Sequence, residues 1–316
     1  MSKPAAKPAR RYGLVLAAYG RHFLVLPDNS SNSNNSEKSH IADEPVQSVS
    51  KGRNAEIAVG DRVIIGDAGK DQAVISEVVH RRNQLHRSTG RRSKVLAANI
   101  DQTALVLASE PAFSEAVVMR VGIASIAADI PLVIIANKSD TKTFANIEPR
   151  LAVLEKIGLS LVRISAKSEP DITRQKLAPV LAQKTTLLLG ESGMGKSTLL
   201  NVLVPDAEQK TGEFSKALQS GRHTTTFSRL FTLDEGLAPN ASVIDSPGFQ
   251  QFGIAHLSES EREHGMPDFA PFLGKCRFNN CVHLAEPDCA IRQAVDAGDI
   301  DRIRYKIFCE LSTDQH

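Results

Sequence analysis

Gly190-Glu191-Ser192-Gly193-Met194-Gly195-Lys196-Ser197 fits the pattern G-x-x-x-x-G-K-[ST]. The apolar run Thr186-Leu187-Leu188-Leu189 precedes it and Thr198-Leu199-Leu200-Asn201 follows. A strand that delivers the chain into a glycine-rich turn, and a helix that leaves it, direct backbone N–H groups and a positive helix end at a polyphosphate. Gly190, Gly193 and Gly195 let the backbone come close to such a ligand. Lys196 is expected to reach the β- and γ-phosphates, and the Ser197 hydroxyl to ligate magnesium. All of Gly190–Thr198, including Glu191, Ser192, Met194 and Thr198, is therefore a candidate nucleotide-binding loop. The strand and helix flanks argue against a glycine-rich turn that binds nothing.

Toward the N-terminus, Val/Ile/Leu runs alternate with amphipathic segments. Asp101–Ala108, Pro131–Ala136 and Leu161–Ile164 are predicted as buried strands. Ser114–Asp129 and Ile147–Ile157 are predicted as helices, the second closed by Gly158. This is the pattern of a parallel sheet covered on both faces, with its ligands at the carboxyl ends of the strands. Two of those ends carry Asn137-Lys138-Ser139-Asp140 and Ser165-Ala166-Lys167, which resemble the N-K-x-D and S-A-K guanine-recognition motifs of the GTPase superfamily. A carboxylate at Asp140 can accept from both the ring N1–H and the exocyclic amine of guanine, whereas adenine offers no donor at N1. Asn137 would brace the site, Lys138 would pack its stem over the base, and the Ala166 N–H would bond the guanine oxygen. Ser139, Ser165 and Lys167 complete the two loops.

Toward the C-terminus, Arg222-His223-Thr224-Thr225-Thr226 leads into a predicted strand Thr226–Leu233. A threonine there, Thr225 ahead of Thr224, would cap magnesium once a γ-phosphate is present. The strand Ala241–Ile244 ends in Asp245-Ser246-Pro247-Gly248, the D-x-x-G shape in which Asp245 holds magnesium through water and the Gly248 N–H senses the γ-phosphate. In ordinary GTPases N-K-x-D and S-A-K come last; here they come first. A sheet fold tolerates such a permutation because natural termini lie close together. The residue after D-x-x-G is Phe249, whose ring can neither donate nor accept a hydrogen bond to orient water, so the isolated site is expected to be slow. Gly253 is a candidate hinge that would swing His256 inward as the water-positioning group, with His223 as an alternative. The catalytic candidates are thus His256, Thr225 and Lys196.

Cys276, Cys281, His283 and Cys289 follow in the spacing C-x4-C-x-H-x5-C. Three thiolates and one imidazole close a tetrahedral zinc site with no open position, so one structural zinc per chain is expected. The neighbouring Asn, Glu, Pro and Asp residues are poor core material, against a reading of merely buried cysteines. Cys309, in the helical pattern Ile303-Ile307-Phe308-Leu311, is expected to pack. Ser258-x-x-Glu261 is a capping box for a helix ending near Gly265.

With 316 residues, 41% hydrophobic and 23% charged, the chain has room for two or three cores. Its longest apolar runs are far short of a membrane span, and its basic N-terminus lacks an apolar signal region, so a cytoplasmic location is expected. Charge is divided unevenly. Residues 1–100 hold sixteen Lys/Arg against nine Asp/Glu, and residues 101–316 hold twenty-two against twenty-seven. The first hundred residues should therefore meet a polyanion. Strand signals at Tyr12–Leu26, Ala55–Val59, Arg62–Ile65 and Gln72–Val79, divided by glycine turns, imply a small β-barrel, with 28–44 a polar loop or insertion. Val78–Ile100 has no acid, while Arg81, Arg82, Arg87, Arg91, Arg92 and Lys94 make it a candidate phosphate-contacting segment. With few aromatics in this part, backbone and shape recognition of folded RNA fits better than base stacking.

The small barrel, the permuted GTPase motifs and the Cys-Cys-His-Cys knot together closely resemble the RsgA (YjeQ) family of bacterial GTPases that depend on the small ribosomal subunit. The resemblance implies a multidomain chain. It has an OB-type RNA- or ribosome-binding barrel at 1–100, a circularly permuted α/β P-loop GTPase domain at 101–254, and an α-helical zinc-binding domain at 255–316. It also implies hydrolysis of GTP to GDP and phosphate stimulated by the small (30S) subunit and a role in late maturation of that subunit through its rRNA; magnesium with GTP is expected from the motifs, and a monomer is expected. The polar insertion 29–40 departs from the family pattern. The alternative is a nucleotide-gated rRNA-binding checkpoint in which hydrolysis is incidental.

Overall fold

The computed structural model describes residues 10–28, 44–51, 56–69, 72–89, 92–205, 207, 227–249 and 252–313. The polar insertion, Arg91 and the whole first-switch segment Arg222–Thr226 lie outside them. The chain begins with β1 (Arg11–Tyr19), β2 (His22–Pro27), β3 (Val46–Ser50), β4 (Arg62–Gly69) and β5 (Gln72–Val78). They close into a barrel in the order β1-β2-β3-β5-β4 and back to β1, with β3 and β5 parallel and the other pairs antiparallel. Strand alternation turns Val15, Phe23, Val25, Val63, Ile65, Ala73 and Ile75 inward to form its core. The sequence places a strand at Ala55–Val59, and the described residues of that stretch, 56–59, form none. Ala58–Asp61 is a tight turn in which buried Asp61 accepts from the Ala58 N–H at 2.8 Å. Only Val59 makes a bridge, to Ala97. The third barrel strand is instead Val46–Ser50, whose short, half-polar pattern was too weak to signal.

The basic segment folds as a hairpin of β6 (Gln84–Thr89) and β7 (Arg92–Ala98). Two of its expected phosphate contacts are otherwise engaged. Arg81 forks onto the carboxylate of Asp61 at 2.7 and 2.8 Å and donates to Gln84 Oε1 and the Glu56 carbonyl. Arg82 pairs with Asp101 at 2.6 Å. The Asp61 side chain is fully buried, so Arg81 compensates an interior charge; breaking such a pair costs about 3–5 kcal/mol. Arg87, Arg92 and Lys94 have no carboxylate partner among the described residues and remain the cations this hairpin can offer.

A second set of strands follows: β8 (Gln102–Leu107), β9 (Leu132–Ala136), β10 (Ser160–Arg163), β11 (Thr185–Gly190), β12 (Ser228–Thr232) and β13 (Ser242–Asp245). Their order is β10-β9-β8-β11-β13-β12, all parallel except β12, which runs antiparallel to β13. Helices α1 (Glu115–Ala127), α2 (Glu148–Lys156), α3 (Pro170–Leu181) and α4 (Lys196–Leu203) cover the faces. Two separate clusters result, with α1 over one face and α3 and α4 over the other. The Ser114 hydroxyl caps α1 by accepting from the Val117 N–H. Strand β12 also pairs with β1 through Ala17↔Arg229 and Ala18↔Ser228, which joins barrel and central sheet into one eleven-stranded sheet.

The C-terminal part carries α5 (Glu259–His264), α6 (Ala290–Ala297) and α7 (Arg302–Thr313). Helix α5 opens with the expected Ser258–Glu261 capping box and ends at Gly265. Met266, Phe269, Ile291 and Phe308 join the core over α1. Arg150 ties the two parts together by pairing with Glu115 and Asp301. Among the described residues no helix is long and apolar enough to cross a membrane.

Candidate nucleotide site and metal centre

Interior strand β11 delivers Gly190 to the carboxyl end of the central sheet, and α4 starts at Lys196. Gly195 has φ +88°, and a Cβ there would stand 2.3 Å from Asn137 Nδ2, so no side chain fits at this position. Met194 turns its side chain into the core, leaving its backbone to face the loop, while Ser192, Gly193, Ser197 and Thr198 are exposed. Glu191 reaches sideways, its carboxylate accepting from the Ser114 N–H at 3.1 Å. Its backbone bridges Phe249, joining the loop to the segment after β13.

The Asn137–Asp140 turn is locked onto this loop. Asn137 donates from Nδ2 to the Met194 carbonyl at 3.0 Å and accepts on Oδ1 from the N–H groups of Lys138 and Ala166 at 2.9 and 3.0 Å. The Ala166 N–H, expected to face a guanine oxygen, is therefore engaged with Asn137 in this structure. Lys138, at φ +62°, crosses the loop and donates to the carbonyls of Glu110 and Gly193 at 2.5 and 2.9 Å. Ser139 and Ser165 share a hydroxyl contact of 2.9 Å, and Ser165 also accepts from the Asp140 N–H. Asp140 itself is exposed. The Ser168 hydroxyl beside it holds its carboxyl below the usual carboxylate range, so it is ionised at neutral pH. A cleft of about 400 Å³ opens beside these loops, lined by Ala166, Lys167, Ser197 and Thr198 and, beyond the motifs, by Pro170, Arg174, Asn201 and Val202. Sequence reasoning missed these four, which the crossing of α3 and α4 brings in.

Across the loop, buried Lys196 bonds the carboxylate of Asp245 and the Ser246 carbonyl, the latter at 2.6 Å. Burial raises Asp245 and the lysine charge opposes that rise. The Lys196 ammonium and the Asp245 carboxylate, the two groups expected from the sequence to meet phosphate and magnesium, are thus in direct contact. Gly248 lies against the loop, an added Cβ falling 3.8 Å from the Gly190 carbonyl.

After Phe249 and Phe252, which pack edge to face in the core, the chain meets the basic hairpin. Ser88 and Gly253 form a backbone bridge, with the Ser88 N–H donating to the Gly253 carbonyl at 2.9 Å. A Cβ at Gly253 would come 2.6 Å from the Ser88 carbonyl, so this glycine serves close approach. The expected hinge is here a paired position. The Ser88 hydroxyl lies 2.7 Å from His256 Nδ1, and His86 stands beside the ring at 5.5 Å. Burial first, then the charge of His86, lowers His256, so its imidazole is neutral at pH 7. Ser88 was invisible as a site residue because its contact spans 168 positions.

Cys276, Cys281, His283 and Cys289 converge, all ligand atoms lying within 4.8 Å of one another. His283 Nδ1 is 3.4–3.5 Å from the three sulfurs, and Cys276 and Cys289 are 3.9 Å apart. Tetrahedral zinc with ordinary bond lengths has edges of about 3.6 Å (S–N) and about 3.8 Å (S–S), so the donor set fits that ion. The loop is shaped by Glu286, which accepts from the N–H groups of Val282, Leu284 and Ala285, and by Tyr305, which donates to the His283 carbonyl at 2.8 Å. Burial, with the neighbouring sulfurs, pushes Cys281 up to about 12, so metal capture must displace thiol protons. Cys281→Ala is expected to abolish stoichiometric zinc and loosen residues 276–289. Nucleotide affinity should stay within a few-fold. Metal analysis and limited proteolysis check this.

A central sheet with these loops in this order is the fold of a circularly permuted P-loop GTPase. The family model described as RsgA GTPase matches residues 78–255. The chain is 45% identical over 312 residues to the small ribosomal subunit biogenesis GTPase RsgA of Burkholderia pseudomallei strain K96243, covering 98% of this chain and 94% of that protein. The protein of the same name from Paraburkholderia phytofirmans is 45% identical over 309 residues, covering 97% and 94%. Among solved structures, YloQ, described as a circularly permuted GTPase, superposes with TM-score 0.65 at 25% identity over 99% of this chain and 97% of its own. YjeQ from Thermotoga maritima gives 0.68 at 25% identity over 96% and 99%. The chain belongs to the RsgA GTPase family and is a GTP hydrolase.

Proposed function

We propose that this GTPase acts in biogenesis of the small ribosomal subunit, and that the subunit's RNA stimulates its hydrolysis by engaging the N-terminal barrel and hairpin. One observation carries this reading: the N-terminal part grips the strand and segment on either side of the nucleotide site. Strand β1 pairs with β12, which follows the first-switch segment, and Ser88 of β6 pairs with Gly253 and holds His256 beyond D-x-x-G. A polyanion that shifts the hairpin therefore acts on the second switch, and nucleotide state acts back on the affinity for RNA.

In this mechanism the Gly190–Thr198 loop cradles the phosphates, Lys196 draws charge from the β- and γ-oxygens, and Asp140 selects guanine. Ser197, Thr225 and Asp245 would hold magnesium, which neutralises the charge developing on the γ-phosphate. His256, released from Ser88, would position the attacking water with its neutral ring. The zinc knot would be structural. Residues 1–100, 101–254 and 255–316 are the corresponding working units, acting as a monomer in the cytoplasm, with the hairpin serving as the joint between the first two.

Cosedimentation with purified small subunits under GTP, GDP and a non-hydrolysable analogue tests the partner, with tighter association expected in the GTP-like state. Reversing Arg87, Arg92 and Lys94 to Glu should weaken that association at least ten-fold and flatten its salt dependence by about three phosphate contacts. Association with equal salt slope before and after reversal would remove the hairpin from the interface.

A further inference from the structure

The metal knot is not an isolated loop. His283 is buried and turns Nδ1 to the three sulfurs, which leaves Nε2 on the opposite edge of the ring. When Nδ1 is the metal ligand, Nε2 carries the hydrogen and becomes a donor seeking an acceptor. Glu263 Oε1 stands 3.8 Å from it, the one carboxylate in ion-pair range of this ring among the described residues. That separation is electrostatic contact rather than a formed hydrogen bond. Glu286, the acid whose charge also acts on this ring, has its carboxylate taken up by backbone N–H groups. The Glu263 carboxylate accepts no hydrogen bond from another described residue and is partly buried, so it too lacks its partner.

Glu263 sits in the last turn of α5, which begins eleven positions after Gly248 of the D-x-x-G segment. Its placement there is tightly determined. The Ser258–Glu261 capping box sets the start of the helix, and buried Arg262 donates to the Leu257 carbonyl at 2.7 Å and the Leu311 carbonyl at 3.3 Å. The Phe269 ring stands nearly perpendicular to His283, with ring centroids 6.3 Å apart.

Resting on the zinc reading above, we propose that Glu263 is the positioning residue of the metal site. With the metal held, its carboxylate would close the remaining gap to accept from His283 Nε2–H, hold the ring in the tautomer and orientation the metal needs, and tie the knot to helix α5.

The test is zinc affinity of the full chain, measured by competition with a chromophoric chelator, for the parent, Glu263→Ala and Glu263→Gln. The alanine variant should bind zinc about 10–100-fold more weakly, the range found when such outer partners are removed. The glutamine variant keeps an acceptor oxygen and should recover most of that loss. Cobalt substituted for zinc should show an altered ligand-field spectrum in the alanine variant. Zinc should slow backbone hydrogen exchange across α5 in the parent and much less in that variant. Parent-like zinc affinity in Glu263→Ala, or equal loss in both variants, would overturn the assignment. If alanine disrupts the fold itself, seen by circular dichroism, Glu263→Met, which keeps the volume but offers no acceptor oxygen, takes its place, with the same loss expected and parent-like affinity overturning the assignment. A parent chain that binds no zinc would instead remove the metal reading on which the proposal rests.

Discussion

Asp140→Asn is expected to lower affinity for GTP by about four orders of magnitude and to create affinity for xanthine nucleotides. The magnitude follows from the chemistry of rejection, since a site built to accept two hydrogen bonds is left with a donor facing donors. The structure isolates the effect. The carboxylate is exposed, it is ionised through the Ser168 hydroxyl, and its backbone N–H is held separately by Ser165 at 3.1 Å. The amide should therefore leave the turn intact and change only what the rim recognises. Equilibrium binding of fluorescent guanine and xanthine nucleotides to both proteins checks this, and undiminished GTP affinity would withdraw Asp140 from base recognition.

His256→Ala is expected to remove the hydrolysis that small subunits stimulate, by about 10²–10⁴-fold, while sparing GTP affinity and the slow intrinsic rate. The residue directly after D-x-x-G leaves the water-positioning role open. Phe249 is buried against Phe252 and offers no polar atom to a water. His256 is polar, neutral and part of the same segment, but Ser88 occupies its Nδ1. Single-turnover hydrolysis with saturating subunits measures the loss. A fully stimulated His256→Ala protein would transfer the role to His223 or to a group supplied by the partner.

The parts of this molecule legible in the sequence are those whose signal is local. The glycine spacing of 190–195, the strand ends at Asn137, Ser165 and Asp245, the Ser258 capping box and the Cys276–Cys289 spacing each follow from neighbours within a few positions, and the structure forms each. What escaped depends on contacts distant in the chain. Arg81 and Arg82 belong to an acid-free run, but their partners Asp61 and Asp101 lie 20 and 19 positions away, so charge counting alone credited them to an external polyanion. Gly253 has the composition of a hinge, yet its missing side chain is explained by Ser88 pressed against it. The hairpin 84–98 was legible in principle, since the apolar run Val95–Ala98 ends its second strand and Leu85 of the first pairs with Ala97, but its charge masked that signal. The Ala166 N–H shows the reverse case, in which the motif is in place but its backbone donor is already engaged by Asn137.

The central claim is that an RNA-rich partner drives this GTPase through its N-terminal part. The most direct measurement is the rate of GTP turnover by the full chain with and without purified small ribosomal subunits, at one salt concentration. The account predicts a slow intrinsic rate that rises by about two orders of magnitude or more with subunits, in line with supply of a missing acid–base group. The same slow rate in their presence, despite demonstrated binding, would contradict it and leave a nucleotide-gated RNA-binding checkpoint whose hydrolysis is incidental.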